Sequence, residues 1–123
     1  MNLQNINRGH ETDEHRASKA ETLQFLKRQG YGLVFCEHQN CDLIAVWPSS
    51  AAILGVEIER SVRNVLNNIG RNIAMGCAHV LIVCPNFSVL AEIARKLDRE
   101  LPQELREKVG IITLSALRLI APA

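Results

Sequence analysis

The run AHVLIVCP, residues 78–85, narrows the fold more than any other feature of the chain. It is apolar without alternation, so a strand made from it is covered on both faces and belongs at the centre of a sheet. The stretch before it, SVRNVLNNIGRNIAMG, changes period: Val62, Val65, Leu66, Ile69 and Ile73 recur at helical spacing, with Ser61 as the expected cap and Gly76 as the stop. A strand, an amphipathic helix and a doubly covered strand in succession make a βαβ unit, which fixes the class as α/β.

The rest of the chain extends this order. ETDEHRASKAETLQFLKRQ, residues 11–29, is rich in helix formers, carries Thr12 as a cap and ends at Gly30. YGLVFCE, DLIAVWP and AAILGVEIE read as three strands able to form a meander, the first two joined by the polar HQNC. After the central strand come a helix around SVLAEIARKLDREL, a short helical piece after Pro102, a strand GIITLS and a last turn of helix at ALRLI. The order is αβββαβαβ, in one domain spanning residues 11–123 behind a loose polar arm of residues 1–10.

Composition removes several classes. The net charge of +1 provides no general field toward nucleic acid or anionic lipid, so any such binding must use a local patch. No apolar run approaches the roughly 20 residues of a membrane helix, and the first 19 residues have no apolar core of a signal peptide, so the expectation is a cytoplasmic protein that does not contact membrane. Cys36, Cys41, Cys77 and Cys84 sit in or beside apolar segments and read as reduced, buried side chains. Cys36, His38, Cys41, Cys77 and His79 are conceivable zinc ligands, but they lack the paired CxxC spacing of common structural sites. There is no glycine-rich phosphate loop and no Ser or Cys beside a His at motif spacing.

The stretch GVEIERS, residues 55–61, is where chemistry is expected. Strand alternation puts Glu57 and Glu59 on one side and Val56 and Ile58 on the other. Pairing of DLIAV with LGVEIE would bring Asp42 toward the same acids. Gathered carboxylates repel unless a cation or a proton relieves them, and Mg or Mn, with its preference for oxygen ligands, is the natural cation. The competing reading is that these acids are solvated at a strand end. On the following helix, Arg60, Asn64, Asn67, Asn68 and Arg71, with Arg63 beside them, form a polar stripe without an acid, suited to phosphate and base contacts or simply to water.

The succession CDLIAV, GVEIERS, an amphipathic helix and HVLIVC resembles the PD-(D/E)xK nuclease superfamily, in particular its Holliday-junction-resolvase and restriction-endonuclease-like members, over roughly residues 14–84. The resemblance implies an αβββαβ core with a central mixed sheet flanked by helices and here a C-terminal αβ extension. It also implies a metal-dependent phosphodiester hydrolase, a DNA endonuclease in which Mg or Mn activates water. Position by position, Asp42 matches the metal-binding Asp, Glu57 the acid of the Glu-x-Lys pair, and Glu21 the first-helix acid, with Glu14 as its rival.

One position departs from the pattern: Glu59 stands where the family has lysine. The expected catalytic set is therefore Asp42, Glu57, Glu59 and Arg60, the expected metal set Asp42, Glu57 and Glu21, and the expected nucleic-acid contacts Arg63, Asn64, Asn68 and Arg71. Arg60, Arg63 or Arg71 could replace the lysine's charge but not act as a base. The alternatives are a catalytically inactive module of the same fold that binds DNA or a protein partner, and a generic α/β binding domain with surface acids. A nuclease this small is expected to act as a homodimer, with LSALRLIAPA as a candidate contact.

Overall fold

The computed structural model describes residues 12–36 and 42–120. The expected arm of residues 1–10, the HQNC loop with His38 and Cys41, and the Cys36 side chain lie outside the described residues.

Helix α1 runs Asp13–Arg28, and Thr12 caps it by accepting from the His15 backbone N–H at 3.0 Å. It ends in a Schellman motif: Gly30, at φ +102°, donates to Lys27 O and Tyr31 donates to Leu26 O. Strands β1 (Leu33–Cys36), β2 (Leu43–Val46) and β3 (Ile53–Ile58) form the antiparallel meander. Helix α2 (Val65–Ala74) crosses to β4 (His79–Cys84), which lies parallel to β3. Helix α3 (Phe87–Glu100) and the one-turn α4 (Gln103–Arg106) lead to β5 (Val109–Thr113), parallel to β4, and α5 (Leu114–Leu119) follows directly. The mixed five-stranded sheet has the order β1-β2-β3-β4-β5.

Both faces of the sheet are covered. Phe25 and Leu26 of α1 and Leu117 of α5 pack on Leu43, Ala45, Val56, Ile58 and Val83. Val65 and Ile69 of α2, with Ile93 and Leu97 of α3, pack on Val80, Ile82, Cys84 and Val109 of the other face. Burying side chains of this size stabilises by about 1.5–3 kcal/mol each, which explains why β4, between two helical layers, is continuously apolar. No helix among the described residues is long and apolar enough to cross a membrane.

The expectations about helix ends fared unevenly. Gly76, at φ +100°, closes α2 in a second Schellman motif, with Cys77 donating to Asn72 O. At the other end the helix starts at Val65 rather than at Ser61, whose hydroxyl accepts from Arg63 N within a turn. Asn64 occupies the cap position without a side-chain cap bond, so the turn that carries the chain off β3 ends later than the cap residue suggests. The last strand stops at Thr113, whose hydroxyl caps α5 through Ala116 N, so the expected GIITLS strand yields its end to the helix.

Candidate functional site

Gly55, Glu57 and Glu59 lie on the face of β3 that meets α2, while Val56 and Ile58 face α1. Neither acid is solvated: Glu57 is 3% exposed and Glu59 7% exposed. Both are held by the helix. Asn72 Nδ2 donates to Glu57 Oε2 at 2.8 Å, and Asn68 Nδ2 donates to Glu59 Oε2 at 2.6 Å.

The spacing explains the match. Two residues along a strand advance about 6.6 Å, and four residues along a helix advance about 6 Å, so acids at i and i+2 meet amides at j and j+4 on an element running the other way. The acid pair thereby registers α2 against β3. Asn72 is wholly buried and also donates to Asn68 O at 2.7 Å, while Cys77 Sγ donates to its Oδ1 at 3.7 Å. Gly55 makes room for it, since a Cβ there would lie 1.9 Å from Asn72 Oδ1.

Asp42 is positioned by the register Leu43↔Val56, which sets it level with Glu57 just before β2 begins. Its Oδ2 accepts from Ile58 N at 2.8 Å, so the side chain takes over the ladder bond that β2 is too short to supply. Its Oδ1 is 3.1 Å from Nε2 of His15, which α1 brings to the sheet edge. Burial pushes the Glu59 carboxyl above its ordinary value; Asn68 pulls the other way, Asp42 adds to the rise, and Arg71 and His15 oppose it. The Cys84 thiol, level with Glu59 on the neighbouring strand, is pushed up to about 11 by burial and by the Glu59 charge.

The other expected residues are placed apart from this cluster or at its rim. Glu21 is gripped by Arg118 of α5, at 2.5 Å from Nε and 3.0 Å from Nη2, and that guanidinium holds its carboxyl below the usual range. Glu21 therefore joins α1 to α5 instead of joining Asp42. Its rival Glu14 lies 2.5 Å from Arg60, which also donates to Thr12 Oγ1 at 3.4 Å and so anchors the start of α1. Arg63 and Asn64, in the turn before α2, and Asn67 and Arg71 on it are exposed, Arg71 donating to Asn68 Oδ1. His15 and Asn72 are the members of the cluster that sequence reasoning missed; His15, third in the first helix and among charges, gave no periodic or motif signal, and Asn72 falls on the apolar side of its helix.

No family model, curated protein or solved structure matches the chain. The site must therefore be read from its own chemistry, which is that of carboxylates already supplied with donors. Each of Asp42, Glu57 and Glu59 accepts at least one hydrogen bond from the chain itself. Among the described residues no group of three His, Cys, Asp or Glu side chains is arranged to hold a metal ion. Of the expected Mg or Mn ligands Asp42, Glu57 and Glu21, the last is engaged by Arg118.

Proposed function

We propose that this domain is a nuclease-fold module that binds nucleic acid without cleaving it. The observation that carries the reading is the double clamp of Glu57 with Asn72 and Glu59 with Asn68, which commits to helix packing the two acids that catalysis would need. The reading is supported by the element order αβββαβ and the mixed sheet flanked by helices, which are what the resemblance to PD-(D/E)xK nucleases implies, with the αβ extension added beyond that core. The family's lysine position holds a buried carboxylate, which cannot supply the positive charge that a lysine would give to a phosphate.

Binding would use the exposed side of α2 and the turn before it, where Arg63 and Arg71 supply charge and Asn64 and Asn67 supply amides. Arginine pairs with phosphate through two parallel hydrogen bonds, and asparagine can reach base edges. Such contacts are salt-dependent, each phosphate neutralised adding about 0.9 to the slope of log affinity against log salt on duplex DNA.

A second reading, the metal-dependent DNA endonuclease, is favoured by one observation: burial and, to a lesser degree, the Asp42 charge raise the cost of ionising Glu59, a tension that a cation would relieve. One experiment separates the two. Calorimetric titration of Mn²⁺ and Mg²⁺ into wild type and the Asp42→Ala/Glu57→Ala double variant is followed by incubation of both with linear, single-stranded and branched DNA. The binding reading expects no metal heat and no cleavage in either protein. It also expects DNA affinity that falls in Arg63→Ala/Arg71→Ala together with a salt slope reduced by about 2. Metal heat and cleavage confined to wild type would replace it with the endonuclease.

A further inference from the structure

Beneath the opposite face of the sheet, at the end away from the acids, a groove of about 540 Å³ runs between the last turn of α1 and the first residues of β4 and β5. Leu54 and His79 are paired in register there, whereas Ile58 pairs with Val83 four residues further on, about 13 Å along the strands. The groove is thus a site distinct from the α2 face and from the carboxylates.

Its walls are built for a flat ring. Tyr31 and Trp47 meet edge to face, their centroids 5.2 Å apart at 78°, and the Trp47 ring lies over Gly30, where a Cβ would sit 3.5 Å away. Trp47 is held by a turn in which its N–H donates to Ala52 O and its carbonyl accepts from Ala51 N. That turn forces Ala51 to φ +57°, a left-handed conformation unfavourable for a residue with a Cβ. Trp47 is 38% exposed, so one part of the ring packs and the rest is open to a ligand.

Gln29 lines the same groove, and its Nε2 is buried without a hydrogen-bond partner among the described residues. A buried donor left unmade is costly, so a ligand that brings an acceptor into the groove would be met by a turn of the Gln29 side chain toward it. An aliphatic chain would leave that amide orphaned, and a sugar would find a single buried polar atom where it needs several. At the rim, exposed Lys108 offers positive charge and exposed His79 a ring nitrogen, and Lys108 has no ion pair among the described residues. Glu107 beside them opposes the accumulation of more than one phosphate.

We propose that this groove binds the base of a nucleoside monophosphate unit, Gln29 donating to a ring carbonyl, the open part of Trp47 meeting the ring with Tyr31 bracing the indole edge to face, and Lys108 meeting the phosphate. The volume lies within the range of small-ligand sites. Aromatic walls hold bases by stacking, and that contribution tolerates different bases because every base has a π-face. The acceptor at Gln29 then favours bases that carry a carbonyl.

Trp47 is the single tryptophan of the chain, so its fluorescence reports the groove directly. GMP and UMP, titrated without metal and with excitation at the red edge of indole absorption, should quench it saturably, and phenyl phosphate, which has no ring acceptor, should bind about tenfold more weakly. Gln29→Leu should lose about tenfold in GMP affinity while melting no lower than wild type. Gly110→Leu should abolish binding by filling the floor, since a Cβ there meets only Leu81 Cδ1 at an ordinary 3.6 Å. The Arg63→Ala/Arg71→Ala protein should bind GMP as wild type does, which separates this site from the α2 face. Absence of saturable quenching up to about 5 mM, unchanged affinity in Gln29→Leu, or equal binding of N-acetyltyrosinamide would each overturn the proposal, the last in favour of a peptide aromatic.

Discussion

Replacing Gly55 with alanine tests whether the strand–helix clamp is as tight as its geometry. The new methyl carbon would lie 1.9 Å from Asn72 Oδ1, 2.7 Å from Asn72 Cγ and 3.0 Å from Cys77 Sγ. Asn72 has no exposed surface into which it could swing, so it must be displaced within the core. Forced repacking of that kind costs about 1–3 kcal/mol, and losing the hydrogen bond to the Glu57 carboxylate costs about 1.5–3 kcal/mol more. The sum, about 2.5–6 kcal/mol, is a large part of the 5–15 kcal/mol typical of a domain and corresponds to a melting shift of roughly 10–25 °C. Urea unfolding followed by circular dichroism measures it, in Gly55→Ala, Asn72→Ala and the double variant. With the Asn72 amide gone the two closest clashes disappear and Cys77 Sγ at 3.0 Å remains, so Gly55→Ala should cost about 1 kcal/mol or less in that background. A cost below about 1 kcal/mol in wild type, or an equal cost in both backgrounds, would refute the clamp.

Glu59 gives a prediction with a definite sign. Its folded carboxyl is raised above the ordinary 4.5, so between that value and its folded pKa the native state binds more protons than the unfolded chain and stability falls as pH rises. Glu59→Gln keeps an acceptor for Asn68, so it should melt higher than wild type at neutral pH and lose that advantage below about pH 4.5; a variant that melts lower at pH 7 would contradict the sign. Glu21 has the opposite sign: its carboxyl is lowered by Arg118, so the stability it contributes is present above 4.5 and lost as pH falls through its folded value. Glu21→Gln should therefore flatten the acid limb of the stability curve, by an amount kept small by solvent, and leave nucleic-acid affinity unchanged in a mobility-shift titration. Cys77 and Cys84 are buried with raised thiol pKa values, so mass spectrometry after native iodoacetamide treatment at neutral pH should find both unmodified, and denaturation should expose both.

The architecture was legible because each of its layers is written in a local period. The doubly buried β4 betrayed itself by continuous apolarity, α2 by Val65, Ile69 and Ile73, and both Schellman ends by Gly30 and Gly76. What the periods did not show was how the polar positions are matched across elements. Glu21 looked like a site acid because it begins an apolar helical stretch, yet its partner Arg118 lies 97 residues away on a helix that docks only in the folded state. His15 reaches Asp42 across 27 residues for the same reason. Long-range polar pairing depends on which helix faces which strand, and a single sequence encodes that only through shape.

The acids of GVEIERS show how this matters for function. Carboxylates at i and i+2 on a strand are equally a start toward an ion site and toward a helix latch, and the strand itself cannot distinguish them. The distinction lies in NVLNNIGRN, where Asn68 and Asn72 stand four apart and so match the rise between Glu57 and Glu59. Had lysine stood at position 59, the Asn68 amide would have had to turn its oxygen from Arg71 to accept the ammonium, leaving Asp42 or a bound phosphate as the stronger partner. With glutamate there, the same helix captures the side chain. Substituting Glu59 thus changes more than one charge: it decides whether the C-terminal end of β3 faces a ligand or faces α2. It also accounts for a stripe of asparagines on a helix whose buried side would otherwise be expected to be wholly apolar.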